Sequence, residues 1–145
     1  TVVNALNVNL TGNAESNLLT GGDGVNLLSG LAGNDTLVGG LGRDTLTGGA
    51  GADRFVFSTA PSVGNVDTIT DFQSGVDVIA LSASLYAGLG MAGDTVGLSA
   101  NLIYSGTTGI LTYDADGAGA GAAVQIALLG MSTHPAVLVN DFLLI

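Results

Sequence analysis

In the first third of the chain, large apolar residues return at every ninth position: Leu19, Leu28, Leu37, Leu46 and Phe55. A glycine stands seven residues ahead of each, at Gly12, Gly21, Gly30, Gly39 and Gly48, so five nonapeptides run head to tail. The clearest copies are GGLGRDTLT, Gly39 to Thr47, and GGAGADRFV, Gly48 to Val56. Positions one to six predict a turn, because glycine admits positive φ and close backbone approach. Positions seven to nine predict a short strand, as in Thr45-Leu46-Thr47, with the eighth side chain inward and its neighbours outward. Two copies depart from the pattern: Glu15 replaces the glycine at position four of the first, and Leu31 the glycine at position two of the third. Both predict disturbed local turns. Asn9-Leu10-Thr11 reads as one more strand that begins or caps the series, with no acidic turn ahead of it.

After Phe57 the period stops and the pattern changes. Pro61 to Asn65 reads as a loop. Asp67 to Phe72 and Val76 to Leu81 read as strands joined by the turn Gln73-Ser74-Gly75. Ser84 to Leu98 is Gly/Ala-rich and predicts a loop or a short helix. Leu102-Ile103-Tyr104 and Ile110 to Tyr113 predict a hairpin, Ala123 to Leu129 a further strand, and Asp141 to Ile145 the closing segment. The resulting division is 1–57 for the repeats with their cap strand and 58–145 for a C-terminal all-β module. The module is expected to cover the open end of the repeats, since bare terminal strands invite aggregation.

Composition sharpens this picture. The 24 glycines would suggest loose chain in a polar context, but 47% hydrophobic content argues for ordered β structure with many tight turns. Twelve acidic residues face only Arg43 and Arg54, a net charge of −10. That balance repels nucleic acid and anionic membrane surfaces, which require clustered Lys and Arg. No apolar run is long enough for a membrane span, and no N-terminal signal peptide is evident. Cysteine is absent, so an extracellular chain of this kind must be held by its core, by partners or by metal.

The sixth position carries the candidate chemistry: Asn17, Asn26, Asp35, Asp44 and Asp53. A strict nine-residue glycine repeat with a carboxylate after the turn resembles the calcium-binding nonapeptide of RTX (repeat-in-toxin) proteins. The resemblance implies a parallel β-roll in which each repeat is half a coil and alternate repeats stack on the same edge. On each edge the sixth-position side chains then converge, beside backbone carbonyls of the glycine turns. Calcium prefers such hard oxygen donors, and stacked carboxylates without a cation would repel one another. The expected ligand set is therefore Asp35, Asp44, Asp53, Asn17 and Asn26, with turn backbone at Gly22, Gly24, Gly33, Gly40, Gly42, Gly49 and Gly51. Several Ca2+ ions are implied. Asn17 pairs with Asp35, Asn26 with Asp44, and Asp35 with Asp53. Only the last pair has two carboxylates, so it is expected to bind most tightly, and Asp35, serving two pairs, is expected to matter more than Asp44.

The stretches Gly49 to Phe57, Asp67 to Ser82 (DTITDFQSGVDVIALS) and Tyr113 to Gly130 extend the resemblance. They are similar to the C-terminal calcium-binding domain of serralysin-type metalloproteases and of related secreted lipases, alginate epimerases and surface-layer proteins. The fold implied is all-β: a parallel β-roll of calcium-binding repeats merging into a β-sandwich-like module. The same resemblance implies an uncleaved C-terminal signal read by a type I ABC export channel, the ending Asp141 to Ile145 being similar to the family's acidic-then-apolar terminus. Asp67 and Asp71 frame the first strand after the repeats and are candidates for a further calcium site. Asp77 is a weaker one. Asp114-Ala115-Asp116-Gly117 reads as a hairpin turn, because the residue twelve places along an EF-hand loop would be Gln125, not Glu.

Enzymatic motifs are missing. There is no HExxH and no GxSxG, and the single histidine, His134, stands beside Pro135 without a nearby acid or nucleophile pattern. The expected function is a non-catalytic, secreted or cell-surface calcium-binding domain that folds on calcium outside the cell and supports type I export of a larger protein. The alternative is a calcium-dependent assembly module of a surface layer or adhesin. The apolar second half, including Leu143-Leu144-Ile145, leaves room for self-association.

Overall fold

A computed structural model describes residues 6–117 and 121–145. Twelve strands form two sheets, and no α-helix occurs among the described residues. Six strands arise in the repeat region: β1 Asn9–Thr11, β2 Leu18–Asp23, β3 Leu27–Ala32, β4 Thr36–Leu41, β5 Thr45–Ala50 and β6 Arg54–Phe57. The chain alternates between sheets, so β1, β3 and β5 lie parallel in one and β2, β4 and β6 parallel in the other. Each nonapeptide is thus half a coil of a parallel β-roll. The full strands run to six residues rather than three, because the opening glycines of the next repeat still pair with the coil above, as in Gly22 with Gly40.

The parallel stack does not end with the nonapeptide period. β7 Asp67–Ile69 pairs parallel with β5, and β8 Val78–Leu81 pairs parallel with β6. Beyond them β11 Val124–Leu129 continues the first sheet and β12 Phe142–Leu144 the second, both still parallel. The hairpin β9 Leu102–Tyr104 and β10 Ile110–Tyr113, with β11 beside it, runs antiparallel. The seven-stranded sheet is ordered β1-β3-β5-β7-β11-β10-β9, the five-stranded one β2-β4-β6-β8-β12. Ser84 to Leu98 forms turns and loop rather than a helix.

Inward residues line up in two columns because parallel pairing places equivalent positions side by side. Leu10, Leu28, Leu46, Ile69 and Leu129 are register partners in the first sheet. Leu19, Leu37, Phe55, Ile79 and Phe142 are partners in the second. Both columns enter a single hydrophobic core that also takes in Tyr86 and Tyr113, whose rings meet edge to face at 5.1 Å.

The C-terminal segment is fastened through Asp141. Its carboxylate accepts from Ser74 Oγ at 2.6 Å, Gly75 N at 2.8 Å and Leu138 N at 2.6 Å, and it is fully buried. These bonds hold the start of β12 against the β7–β8 turn.

Candidate calcium-binding turns

Register puts the sixth-position residues on two edges of the roll. Along one edge lie Asn17, Asp35 and Asp53, then Asp77. Along the other lie Asn26 and Asp44, then Asp67. Each edge is a hydrogen-bonded ladder. The N–H of Asn17 donates to Asp35 Oδ1 at 2.7 Å, that of Asp35 to Asp53 Oδ1 at 2.8 Å, and that of Asp53 to Asp77 Oδ1 at 3.0 Å. On the other edge the N–H of Asn26 donates to Asp44 Oδ1 at 2.8 Å, and that of Asp44 to Asp67 Oδ1 at 3.0 Å. A buried carboxylate that accepts backbone N–H groups keeps a fixed direction.

The second oxygen of each repeat aspartate has a different fate. Asp35 Oδ2, Asp44 Oδ2 and Asp53 Oδ2 are buried without a hydrogen-bond partner. Each folds back over the first glycine of its own turn, Gly30, Gly39 or Gly48, where a Cβ would collide with it. At Gly30 the carbonyl of Gly48, in the next coil, converges on the same point. Further carbonyls aim along the stack: Gly22 O and Gly24 O at Gly40 and Gly42, Leu31 O and Gly33 O at Gly49 and Gly51. A Cβ at any of these four glycines would strike the opposing carbonyl, so the close approach of the turns requires glycine there.

Leu31 departs from the consensus without breaking its turn. It takes φ 81°, close to the 92°, 102° and 103° of Gly22, Gly40 and Gly49. The disturbance expected from the sequence is absorbed as left-handed strain at one residue. Glu15, in the first turn, is exposed, and its N–H is satisfied by Asn13 Oδ1 at 2.7 Å.

The carboxylates beyond the repeats are engaged in other ways. Asp71 sits over the Gly48 turn and accepts from Gly48 N at 3.0 Å and Gly49 N at 2.8 Å. Asp77 accepts from Gln73 N as well as from Asp53 N. Asp77 is therefore the next rung after Asp53, although sequence reasoning ranked it below Asp67 and Asp71. Its signal was Gly75-Val76-Asp77-Val78-Ile79, which repeats the spacing of Gly51-Ala52-Asp53-Arg54-Phe55 at a longer interval. Asp67 gives Asp44 a second neighbour, which removes the reason for ranking Asp35 above Asp44. Asn65, also missed, accepts from Gly42 N at 2.8 Å and donates to Thr59 Oγ1, while the Thr59 hydroxyl donates to Gly40 O.

Burial without counter-charge pushes these acids toward the neutral form. Asp44, Asp53 and Asp77 are raised, mainly by desolvation, against the opposing pull of backbone N–H donors. Asp67 is pushed up to about 7 by burial, with the Asp44 charge adding to it. Desolvation disfavours an ionised carboxylate unless a cation or donors compensate.

Among the described residues, no three His, Cys, Asp or Glu side chains gather at one point. A cation here would take single carboxylates together with carbonyls of facing turns. The donors are all oxygen, three of the carboxylate oxygens lack any partner, and the turns meet too closely for side chains. This set suits calcium, which takes six to eight hard oxygen ligands, and lacks the nitrogen and sulfur ligands that zinc favours.

The pattern of RTX calcium-binding nonapeptide repeats, four copies, matches residues 9–37 and 29–57. The solution structure of the AlgE6R3 subunit from the Azotobacter vinelandii mannuronan C5-epimerase is similar over 98% of this chain and 81% of that one, at 30% identity and a TM-score of 0.66. The chain belongs to the RTX calcium-binding repeat family. The AlgE6R2 subunit of the same epimerase is similar at 26% identity and a TM-score of 0.56, covering 98% of this chain and 94% of that one. No curated protein matches the chain. Its RTX nonapeptides are calcium-binding repeats in a parallel β-roll.

Asp114 and Asp116, the EF-hand-like fragment, behave as turn residues. Asp114 Oδ1 accepts from Asp116 N at 3.3 Å, and Asp116 Oδ2 from Gly121 N at 2.7 Å. Residues 118–120 of that stretch lie outside the described residues. His134 lies beside a cleft of about 250 Å³ lined also by Thr70, Asp71 and Thr133, with Nδ1 3.1 Å from the carbonyl of Leu129. No helix among the described residues is long and apolar enough to cross a membrane.

Proposed function

We propose that this RTX domain is an ion-gated folding module, the non-catalytic C-terminal part of a larger secreted protein. Three buried, unpartnered carboxylate oxygens on Asp35, Asp44 and Asp53 carry this reading. Bound calcium supplies the positive charge that such oxygens otherwise lack and draws facing carbonyls into its coordination shell. Asp35, Asp44 and Asp53 would be the principal charged ligands. Turn backbone at Gly33, Gly40, Gly42, Gly49 and Gly51 would complete the donor sets, with Asp67 and Asp71 serving the last turns.

Metal binding is then folding free energy, because the unfolded chain has no preformed site. At cytosolic calcium the buried acids oppose closure and the chain stays largely unfolded, a form suited to threading a type I ABC export channel. At extracellular calcium the turns close and the roll folds. The C-terminal segment would carry the export signal. The resemblance to epimerase subunits supports a parent enzyme whose active site lies in another domain.

The test is a calcium titration of chelated protein followed by β-sheet circular dichroism. Sheet content is expected to rise cooperatively with calcium. Full sheet content in excess chelator would overturn the proposal.

A second reading, a surface-layer or adhesin assembly module, draws on the exposed start of the roll. Leu18 is 70% exposed, Val25 55% and Leu27 46%, beside the edge strands β1 and β2. Exposed apolar groups at a sheet edge favour self-association. Calcium-dependent sedimentation as large species would support this reading, and a monomer at high concentration would rule against it.

A further inference from the structure

The turn Gly21–Asn26 has the left-handed second and fourth residues of the three turns that follow it but carries an amide where they carry a carboxylate. The orientation of that amide is fixed from outside the turn. The N–H of Val8 donates to Asn26 Oδ1 at 2.8 Å, so the end that folds back over Gly21 is the NH2 group. It donates there to the carbonyl of Gly39, 3.5 Å away, and Asn26 is only 2% exposed.

The equivalent place one half-coil on makes the contrast. Over Gly30 stand Asp35 Oδ2 and the carbonyl of Gly48. Over Gly21 stand Asn26 Nδ2 and the carbonyl of Gly39. The first cradle holds two oxygen acceptors and no donor, and Asp35 Oδ2 is unpartnered. The second holds a donor facing an acceptor. Two converging acceptors call for a cation, whereas a donor and an acceptor satisfy each other.

We infer that Asn26 takes the place of a cation, so that the facing turns Gly21–Asn26 and Gly39–Asp44 close through an amide and hold no ion between them. Rotating the amide to aim Oδ1 inward would set its NH2 against the N–H of Val8, donor against donor, so Asn26 is a substitute rather than a weak ligand. Asp35, Asp44 and Asp53 meet no such conflict, since both carboxylate oxygens accept. Asn17, the same residue type, aims Oδ1 over Gly12 beside the Gly30 carbonyl, so it is the group turned inward, and not residue type alone, that sets Asn26 apart. This inference rests on the calcium reading above and goes beyond it by assigning one turn pair as ion-free.

The experiment counts bound calcium by native mass spectrometry at saturating calcium, with wild type, Asn26→Asp and Asn26→Ala side by side. Asn26→Asp restores a second acceptor and is expected to hold one ion more than wild type. Asn26→Ala is expected to hold the same number as wild type and to melt at lower temperature, having lost its bonds to Val8 and Gly39. Equal counts for Asn26→Asp and wild type, or one ion fewer on Asn26→Ala, would overturn the inference while leaving the calcium reading intact. A wild type that binds no calcium would overturn both.

Discussion

The backbone N–H of Asp35 donates to Oδ1 of Asp53, 2.8 Å away and eighteen residues later in the chain. This one bond ties two coils together and turns the Asp53 carboxylate so that its other oxygen faces Gly48. The ladder therefore does two jobs: it fixes the stacking and it aims the free oxygens.

Asp35 and Asp44 occupy equivalent rungs, each with a neighbour before and after. Asp35→Ala and Asp44→Ala are each expected to raise the calcium midpoint of folding by roughly tenfold or more, about 1.4 kcal/mol per factor of ten. Calcium titrations of the two variants, followed by circular dichroism, check this. An unchanged midpoint in either variant would count against its aspartate as a ligand.

Leu31 holds a left-handed φ of 81° that glycine adopts freely, and its side chain is 50% exposed. Leu31→Gly is expected to stabilise the calcium-loaded protein by about 1 kcal/mol, the relief of left-handed strain exceeding the loss of chain stiffness. Urea unfolding at saturating calcium measures the difference. A clear loss of stability would mean that the Leu31 side chain contributes more than its exposure suggests.

Acidity should act in opposite directions with and without metal. Asp67 is pushed up to about 7, and Asp44, Asp53 and Asp77 are also raised, mainly by burial. The folded state then binds more protons than the unfolded state between about pH 4 and pH 7, so metal-free stability rises as pH falls through that window and is lost as pH rises through the folded value. In chelator, β-sheet signal is expected to increase from pH 7.5 to pH 5. With calcium present, protons compete for the same oxygens, and the calcium midpoint should move to higher concentration over the same range. A chelated protein whose sheet content is independent of pH would refute the first expectation.

Asp141 fastens β12 with three hydrogen bonds and lies away from the turns of the repeats. Asp141→Ala leaves Ser74, Gly75 and Leu138 donors without their acceptor and is expected to destabilise the protein by about 3 kcal/mol. The loss should persist at saturating calcium with the number of bound ions unchanged. Thermal melts combined with ion counting separate this effect from that of Asp35→Ala.

The repeat made much of this architecture readable. A spacing of nine, with glycine first and a large apolar residue eighth, carried the resemblance that implied half-coils, and the adjacency of Asn17 with Asp35, Asn26 with Asp44 and Asp35 with Asp53 followed from doubling it. The pattern hid its own continuation. Asp67 and Asp77 stand 23 and 24 residues after their partners instead of 18, because longer turns intervene. Their backbone pairing is the same, but a period disguised by insertions no longer reads as a period.

Sequence by itself determined the inward place of the eighth residues, the all-β class and the identity of the acids, since these depend on side-chain type and regular spacing. Only the tertiary structure decided which oxygen of each aspartate is spent on a backbone N–H and which is left free. It also decided that Asp44 has a second neighbour, that Leu31 accepts strain, and that Val8 locks Asn26 with its NH2 inward. These outcomes depend on contacts between coils, where direction and burial set the chemistry, and direction is a property that residue type alone does not carry.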